Sequence, residues 1–151
     1  MSHLYEKFVL GYYKKHFSHL SPSANYIEWN AQGETEYLPA MKTDITLTDE
    51  EQNKVLIIDT KYYGRTMQNQ FGKNSYHSGN LYQILSYVNN KKANYNGEVG
   101  GLLLYAKTDE EVTQNQKFTV SGNQFAVQTL DLNVDFSEIE EHLKVIVKNF
   151  F

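Results

Sequence analysis

No cysteine occurs among the 151 residues. That absence excludes disulfides, thiolate zinc sites, iron–sulfur clusters and cysteine nucleophiles together, so any metal must be held by oxygen or imidazole. Long apolar runs are missing as well. Nowhere do about 18 apolar residues follow one another as a membrane span requires, and the opening MSHLYEKFVL lacks the uninterrupted stretch of a signal peptide. The expected location is therefore the cytoplasm, with no membrane partner. Positive charge is also short: 14 Lys and Arg against 18 Asp and Glu leave a formal net charge of −4. This argues against a protein that coats nucleic acid, because such binding relies on many cationic contacts to phosphate. It does not argue against an enzyme that acts on nucleic acid, whose carboxylates add negative charge of their own while a local basic surface meets the backbone. Local candidates for that surface are Lys14, Lys15 and His16, residues 65–77, and the Lys91-Lys92 pair. Each of these is equally what an ordinary solvated surface contains.

What is present is ordinary for a folded chain: 40% hydrophobic and 21% charged residues. The length predicts one domain over residues 1–151, long enough to bury most apolar side chains in a core. Tyrosine is abundant, at 12. Its apolar ring and hydroxyl suit half-buried surfaces but name no ligand.

Val9, Leu10, Tyr13, Phe17 and Leu20 recur at spacings of three and four, predicting an amphipathic helix that ends near Ser21-Pro22. Residues 26–29 read as a short strand and 37–41 as extended chain, with a turn at Gln32-Gly33-Glu34 between them. Residues 44–48 alternate polar and apolar as a half-buried strand does, whereas Val55-Leu56-Ile57-Ile58 is a continuous apolar run typical of a central strand. Residues 62–79 are polar and aperiodic, predicting a long loop. A helix over 80–90, a buried strand over 100–106, a hairpin joining 117–120 to 125–131 through Ser121-Gly122-Asn123, and a closing helix over 137–150 complete the reading. Ser137 or Asp135 stands near the cap of that last helix. The order of elements predicts a mixed α/β sheet flanked by helices.

If residues 44–48 and the strand from Val55 form a hairpin over the polar connection 49–54, Thr48 faces Val55. Counting back in that register sets Asp44 opposite Asp59 on one face, with Cα atoms about 4.5 to 5.5 Å apart. Strand alternation puts Lys61 on the same face, roughly 7 Å further along. Two carboxylates so close repel unless one is protonated or a cation lies between them. Oxygen ligands with open coordination positions suit magnesium or manganese, which polarises a phosphodiester and acidifies an attacking water. Lys61 then orients that water, helps deprotonate it or stabilises developing charge, and the Thr60 carbonyl is an additional ligand. A DxK tripeptide alone is also what a surface ion pair looks like. Here it directly follows an apolar run, where charge without a partner is expensive. Glu6 shares the azimuth of Val9, Leu10, Tyr13 and Phe17, either to complete a metal shell or as the edge of the stripe. Gln83 and Tyr87 are four apart on one helical face, as supports of a carboxylate or of DNA, or simply as a half-buried polar pair.

Residues 41–47 (MKTDITL), 56–63 (LIIDTKYY), 80–87 (NLYQILSY) and 100–105 (GGLLLY) closely resemble the McrC family, the nuclease subunit of McrBC-type restriction systems that cleave DNA containing modified cytosine. The resemblance extends from Leu4 onward. It implies a restriction-endonuclease-like PD-(D/E)XK fold in which Asp44 and Asp59 take the acidic positions, Lys61 the lysine, and Gln83 with Tyr87 a QxxxY element. Glu6 then occupies the position of the first-helix glutamate of related branches. Thr43 stands where many members of that superfamily have proline. The implied activity is magnesium- or manganese-dependent cleavage of double-stranded DNA, with a dimer on DNA left open beside a monomer. The implied partner is an McrB-like AAA+ GTPase. McrC proteins resemble this chain only in their C-terminal part, so the expectation is a nuclease domain without the N-terminal region that docks on the GTPase. Two other readings remain: a non-catalytic assembly module for a motor subunit, and a repair-type nuclease of the same superfamily. The three charges held together count against the first, and the lack of cysteine for a cluster counts against the second.

Overall fold

The fold is built on a central sheet whose two faces are covered by different helices. The computed structural model describes residues 2–62, 67–70, 73–107 and 115–151. In chain order the elements are α1 (Ser2–His16), a 3-10 turn (Ser18–Leu20), β1 (Tyr26–Ile27), β2 (Met41–Lys42), β3 (Ile45–Asp49), β4 (Lys54–Lys61), β5 (Met67–Gln70), β6 (Lys73–Tyr76), α2 (Ser78–Ala93), β7 (Glu98–Ala106), β8 (Asn115–Val120), β9 (Asn123–Leu130) and α3 (Phe136–Phe150). Five strands form the central sheet in the order β3-β4-β7-β9-β8. β4, β7 and β9 run parallel, while β3 and β8 are antiparallel edges. This is the mixed sheet flanked by helices that the sequence predicts.

β4 and β7 lie at the centre, buried on both sides, which is why they read as unbroken apolar runs. Alternate residues face opposite layers. Leu56, Ile58, Leu102 and Leu104 pack with α1 and α3, whereas Val55, Ile57, Val99 and Leu103 pack with α2. The helix crossing between the parallel strands β4 and β7 is α2, and its approach is close. A Cβ on Gly101 would lie 2.8 Å from an Ile84 carbon and 2.9 Å from carbons of Val88 and Phe125, so glycine is what permits this packing.

Several boundaries differ from the sequence reading for physical reasons. α1 stops at His16, and its fully buried face is Tyr5, Val9, Tyr12 and Tyr13, while Leu10 and Phe17 are only partly buried. Tyrosine serves in this core because its hydroxyls find partners: Tyr5 on the Leu104 carbonyl at 3.3 Å and Tyr13 on the Leu143 carbonyl at 2.8 Å. The strands at 26–27 and 41–42 are shorter than expected and pair with each other in a separate ribbon. The expected loop over 62–79 contains the antiparallel β5–β6 hairpin, and α2 begins at Ser78, two residues before the expected start. The β8–β9 turn is Ser121-Gly122, with φ of 52° and 82°. Two successive positive φ values match the right-handed strand twist, which is why glycine belongs there. Asp135 is the N-cap of α3, though its side chain makes no capping hydrogen bond. Among the described residues no helix is long and apolar enough to cross a membrane.

Candidate active site

The β3–β4 ladder pairs Thr48 with Val55, and continues to Ile45 opposite Ile58. Asp44 is the residue before that ladder, so the same register sets it against Asp59, on the face that α2 covers. Lys61 ends β4 two residues further on, again on that face. These side chains thus meet at the carboxyl end of a central parallel strand, where open α/β sheets commonly place ligands.

Asp59 is 2% exposed. Lys61 Nζ lies 3.0 Å from its Oδ2, yet that oxygen has no hydrogen-bond partner among the described residues. Burial pushes the Asp59 carboxyl up to about 7. Lys61 opposes the rise, and Asp44 adds to it through its charge and a hydrogen bond to the protonated form. Asp44 is held differently. Its Oδ2 accepts from the Thr60 amide at 2.8 Å and from the Thr60 hydroxyl at 2.9 Å. The residue expected to offer a carbonyl therefore also anchors the neighbouring carboxylate with its amide and side chain.

Gln83 and Tyr87 join this group from α2. The Gln83 Oε1 accepts from Lys61 Nζ at 3.0 Å, and its Nε2 donates to the Tyr87 hydroxyl at 2.9 Å. The Lys61 ammonium can only donate, which fixes the Gln83 amide with its oxygen toward Lys61 and its nitrogen toward Tyr87. Burial raises the Tyr87 hydroxyl above its ordinary value. α2 is itself tied to the sheet by buried Asn80, whose Nδ2 donates to the Tyr105 hydroxyl at 2.8 Å. Tyr105 is the β7 partner of Lys61 in the ladder, so that bond braces the site from below.

Glu6 approaches from the end of α1 that lies at this edge. It is part-exposed, and its carboxyl is raised first by burial and then by Asp44, with His3, Lys42 and Lys61 opposing. The structure thus brings all six expected site residues into one neighbourhood, with Glu6 on its rim. Among the described residues, however, no three His, Asp or Glu side chains converge tightly enough to hold a metal ion. The cation donors at hand are the Asp44 and Asp59 carboxylates and the Thr60 carbonyl. The two facing carboxylates and the hard oxygen character of the set fit a magnesium or manganese ion.

Two of the three expected basic surfaces lie elsewhere. Lys14, Lys15 and His16 complement the dipole at the far end of α1, about 13 Å along the helix from Glu6. Lys91 and Lys92 close the last turn of α2, Lys91 over the Tyr95 ring at 5.2 Å and Lys92 on the Gly97 carbonyl. Of residues 65–77, 65–66 and 71–72 fall outside the described residues.

Thr43 was marked in the sequence only as standing where many members of the superfamily have proline, with no role given to it. It is 2% exposed; its amide donates to the Asn25 carbonyl at 2.8 Å, and its Oγ1 accepts from the Asn25 amide at 3.0 Å and lies 2.8 Å from the Thr46 hydroxyl. These bonds clamp the backbone just before Asp44. The only sequence signal was its place beside that acid. A cavity of about 430 Å³ opens on the α3 face between Phe118, Gln128 and Phe150, and none of the six site residues lines it.

A family profile described as "McrBC 5-methylcytosine restriction system component" matches residues 1–106, the stretch from α1 to the end of β7 that supplies every site residue. The chain belongs to the McrC family. Over 147 residues, 95% of its length, it is 31% identical to the Type IV methyl-directed restriction enzyme EcoKMcrBC of Escherichia coli (strain K12). That match covers 41% of the relative, so the chain spans less than half the length of this McrC-family protein.

Proposed function

We propose that this chain is a metal-dependent DNA endonuclease domain with a PD-(D/E)XK fold, the cutting component of a modification-dependent, McrBC-type restriction system. The observation that carries this reading is the Asp59 carboxyl: buried at the end of an apolar strand, set against Asp44 by the strand register, and ion-paired through its Oδ2 to Lys61 at 3.0 Å. Two carboxyls set against one another, one of them buried, are costly, and such a pair is retained where a cation completes it.

A magnesium or manganese ion held by Asp44, Asp59 and the Thr60 carbonyl, with Glu6 on its outer side, would supply Lewis-acid polarisation of the phosphodiester and a more acidic water. The remaining work falls to the chain's own groups. Lys61 Nζ, restrained by Asp59 and Gln83, directs a proton toward the attacking water or the non-bridging phosphate oxygen and offsets charge that grows as the phosphorane forms. Gln83 keeps the ammonium pointed, and Tyr87 steadies Gln83 by accepting from its Nε2. Thr60 holds the Asp44 carboxylate in a fixed orientation. Preorganisation of this kind matters because misplacement by about 1 Å costs on the order of a hundredfold in rate. In the full system an McrB-like AAA+ GTPase delivers DNA and licenses cutting, and the recognition of modified cytosine lies with that machinery.

The test is incubation of plasmid DNA with the purified chain and magnesium or manganese, beside Asp59→Asn and Lys61→Ala. We expect nicking or linearisation that falls by at least about a hundredfold in either variant. Cleavage that survives in both removes the assignment. The non-catalytic platform is the reading left standing if DNA is bound but never cut, even when an McrB-type partner is supplied.

A further inference from the structure

β1 and β2 form a two-residue ribbon in which Tyr26 pairs directly with Lys42. The Lys42 ammonium lies 5.3 Å from the centre of the Tyr26 ring, and the ring is 70% exposed. Lys42 is exposed as well. An exposed tyrosine ring and an exposed lysine that restrain each other make no contribution to either core; they present a cation and an aromatic face to solvent.

Their position matters more than their exposure. Lys42 stands two residues before Asp44, so the two Cα atoms are at most about 7 Å apart. Its charge is felt at Glu6 together with those of Asp44 and Lys61. The carboxylates are thus flanked by two lysines with different surroundings. Lys61 is drawn inward by Asp59 and Gln83, whereas Lys42 stays at the open edge. The cations at the ends of α1 and α2 are too remote to share this work, since Lys91 lies about 12 Å along α2 from Gln83.

A nucleic-acid strand repeats its phosphate about every 3.4 Å of rise. Lys42, two residues from the metal-facing acid on a long flexible side chain, can therefore reach a phosphate within a few nucleotides of the one being cut. We propose that Lys42 and Tyr26 form a strand-seating subsite: Lys42 Nζ binds a phosphate next to the scissile one, and the Tyr26 ring packs on the adjoining sugar. This rests on the nuclease reading above and adds to it the groups that fix the strand's register across the metal-binding acids. Contacts of this kind position the backbone without reading sequence.

The experiment separates the two ideas. Binding of a short fluorescent duplex is measured by anisotropy at several salt concentrations, with calcium in place of magnesium, for the wild type, Lys42→Ala, Lys42→Arg, Tyr26→Ala and, as a remote control, Lys14→Ala. Lys42→Ala should weaken binding about 3- to 10-fold and reduce the slope of log K against log salt by about 1. Lys42→Arg should keep both, and Tyr26→Ala should lose affinity with little change in slope. Lys14→Ala should match the wild type. In cleavage assays Lys42→Ala should raise KM and leave kcat within about twofold. The proposal is overturned if Lys42→Ala binds with the wild-type slope and affinity, if kcat falls while KM stays, or if the wild type shows no duplex binding. The nuclease reading fails on a different result, the survival of cleavage in both Asp59→Asn and Lys61→Ala, which leaves the salt slopes to judge Lys42 alone.

Discussion

At the scale of single residues, Asp59 is the group whose energetics are most exposed to test. Its folded carboxyl titrates near 7 against an ordinary value of 3.8. The folded state therefore binds a proton more tightly than the unfolded chain. Between those values the native protein carries more protons, so stability falls as pH rises across this window. Metal-free protein should lose melting temperature from about pH 4 to about pH 7, and Asp59→Asn, which cannot ionise there, should show a flatter profile. Magnesium or manganese should reverse the trend, because the ligand must be deprotonated and binding releases the proton. Thermal melts in chelator and in excess metal at a series of pH values check both halves, and parallel profiles for wild type and variant would contradict the role given to this carboxyl. The place of Asp59 was legible because acid and lysine directly follow Val55-Leu56-Ile57-Ile58. The anchoring of Asp44 was not, since one of its two donors is the backbone amide of Thr60, and backbone donors leave no mark in the residue order.

At the scale of elements, two packing devices hold the site and each yields an expectation. The first is the Thr43 clamp. Thr43→Val keeps the shape but leaves the Asn25 amide and the Thr46 hydroxyl without this partner, at a cost of about 1–3 kcal/mol. It should also lower kcat, because the chain segment carrying Asp44 loosens, whereas Thr43→Ser should retain both. Denaturant melts and cleavage rates decide between this and a merely space-filling threonine. The second is the close contact of α2 with β7 at Gly101. Gly101→Ala inserts a methyl within 3.0 Å of Ile84, Val88 and Phe125, so it should destabilise by about 1–3 kcal/mol and displace the helix that carries Gln83 and Tyr87. A crystal structure or melt showing no change would mean that the layer is looser than these distances imply. The face of α1 was only half legible, because Tyr5 and Tyr12 read as polar-edged residues until their hydroxyls find partners at Leu104 and Glu140 on distant elements. The β5–β6 hairpin was illegible for a simpler reason: MQNQ and KNSY carry no apolar alternation for a period to appear in.

At the scale of the whole molecule, local pattern predicts the layers but not the order of strands. The β3–β4 register could be counted from the polar connection between two patterned strands, because a slip of one residue would turn every side chain to the wrong face. The parallel pairing of Asp59 with Leu103 joins residues 44 positions apart, and nothing local in either strand specifies it. Charge is the other global property, and it bears on how the domain meets DNA under the proposed function. A net charge of −4 predicts weak capture of DNA by this domain alone. If delivery rather than chemistry is limiting, fusing the chain to a non-specific DNA-binding protein through a flexible linker should rescue it, because tethering supplies an effective concentration in about the millimolar range. Cleavage at limiting DNA should then rise by about 10²-fold or more, while the rate at saturating DNA stays within about twofold. Rate profiles against DNA concentration for the free and fused chains make that comparison. A fusion that binds DNA yet cuts no faster at any concentration would shift the requirement from delivery to activation, with the partner needed to organise Asp44, Asp59 and Lys61 and not merely to bring them to DNA.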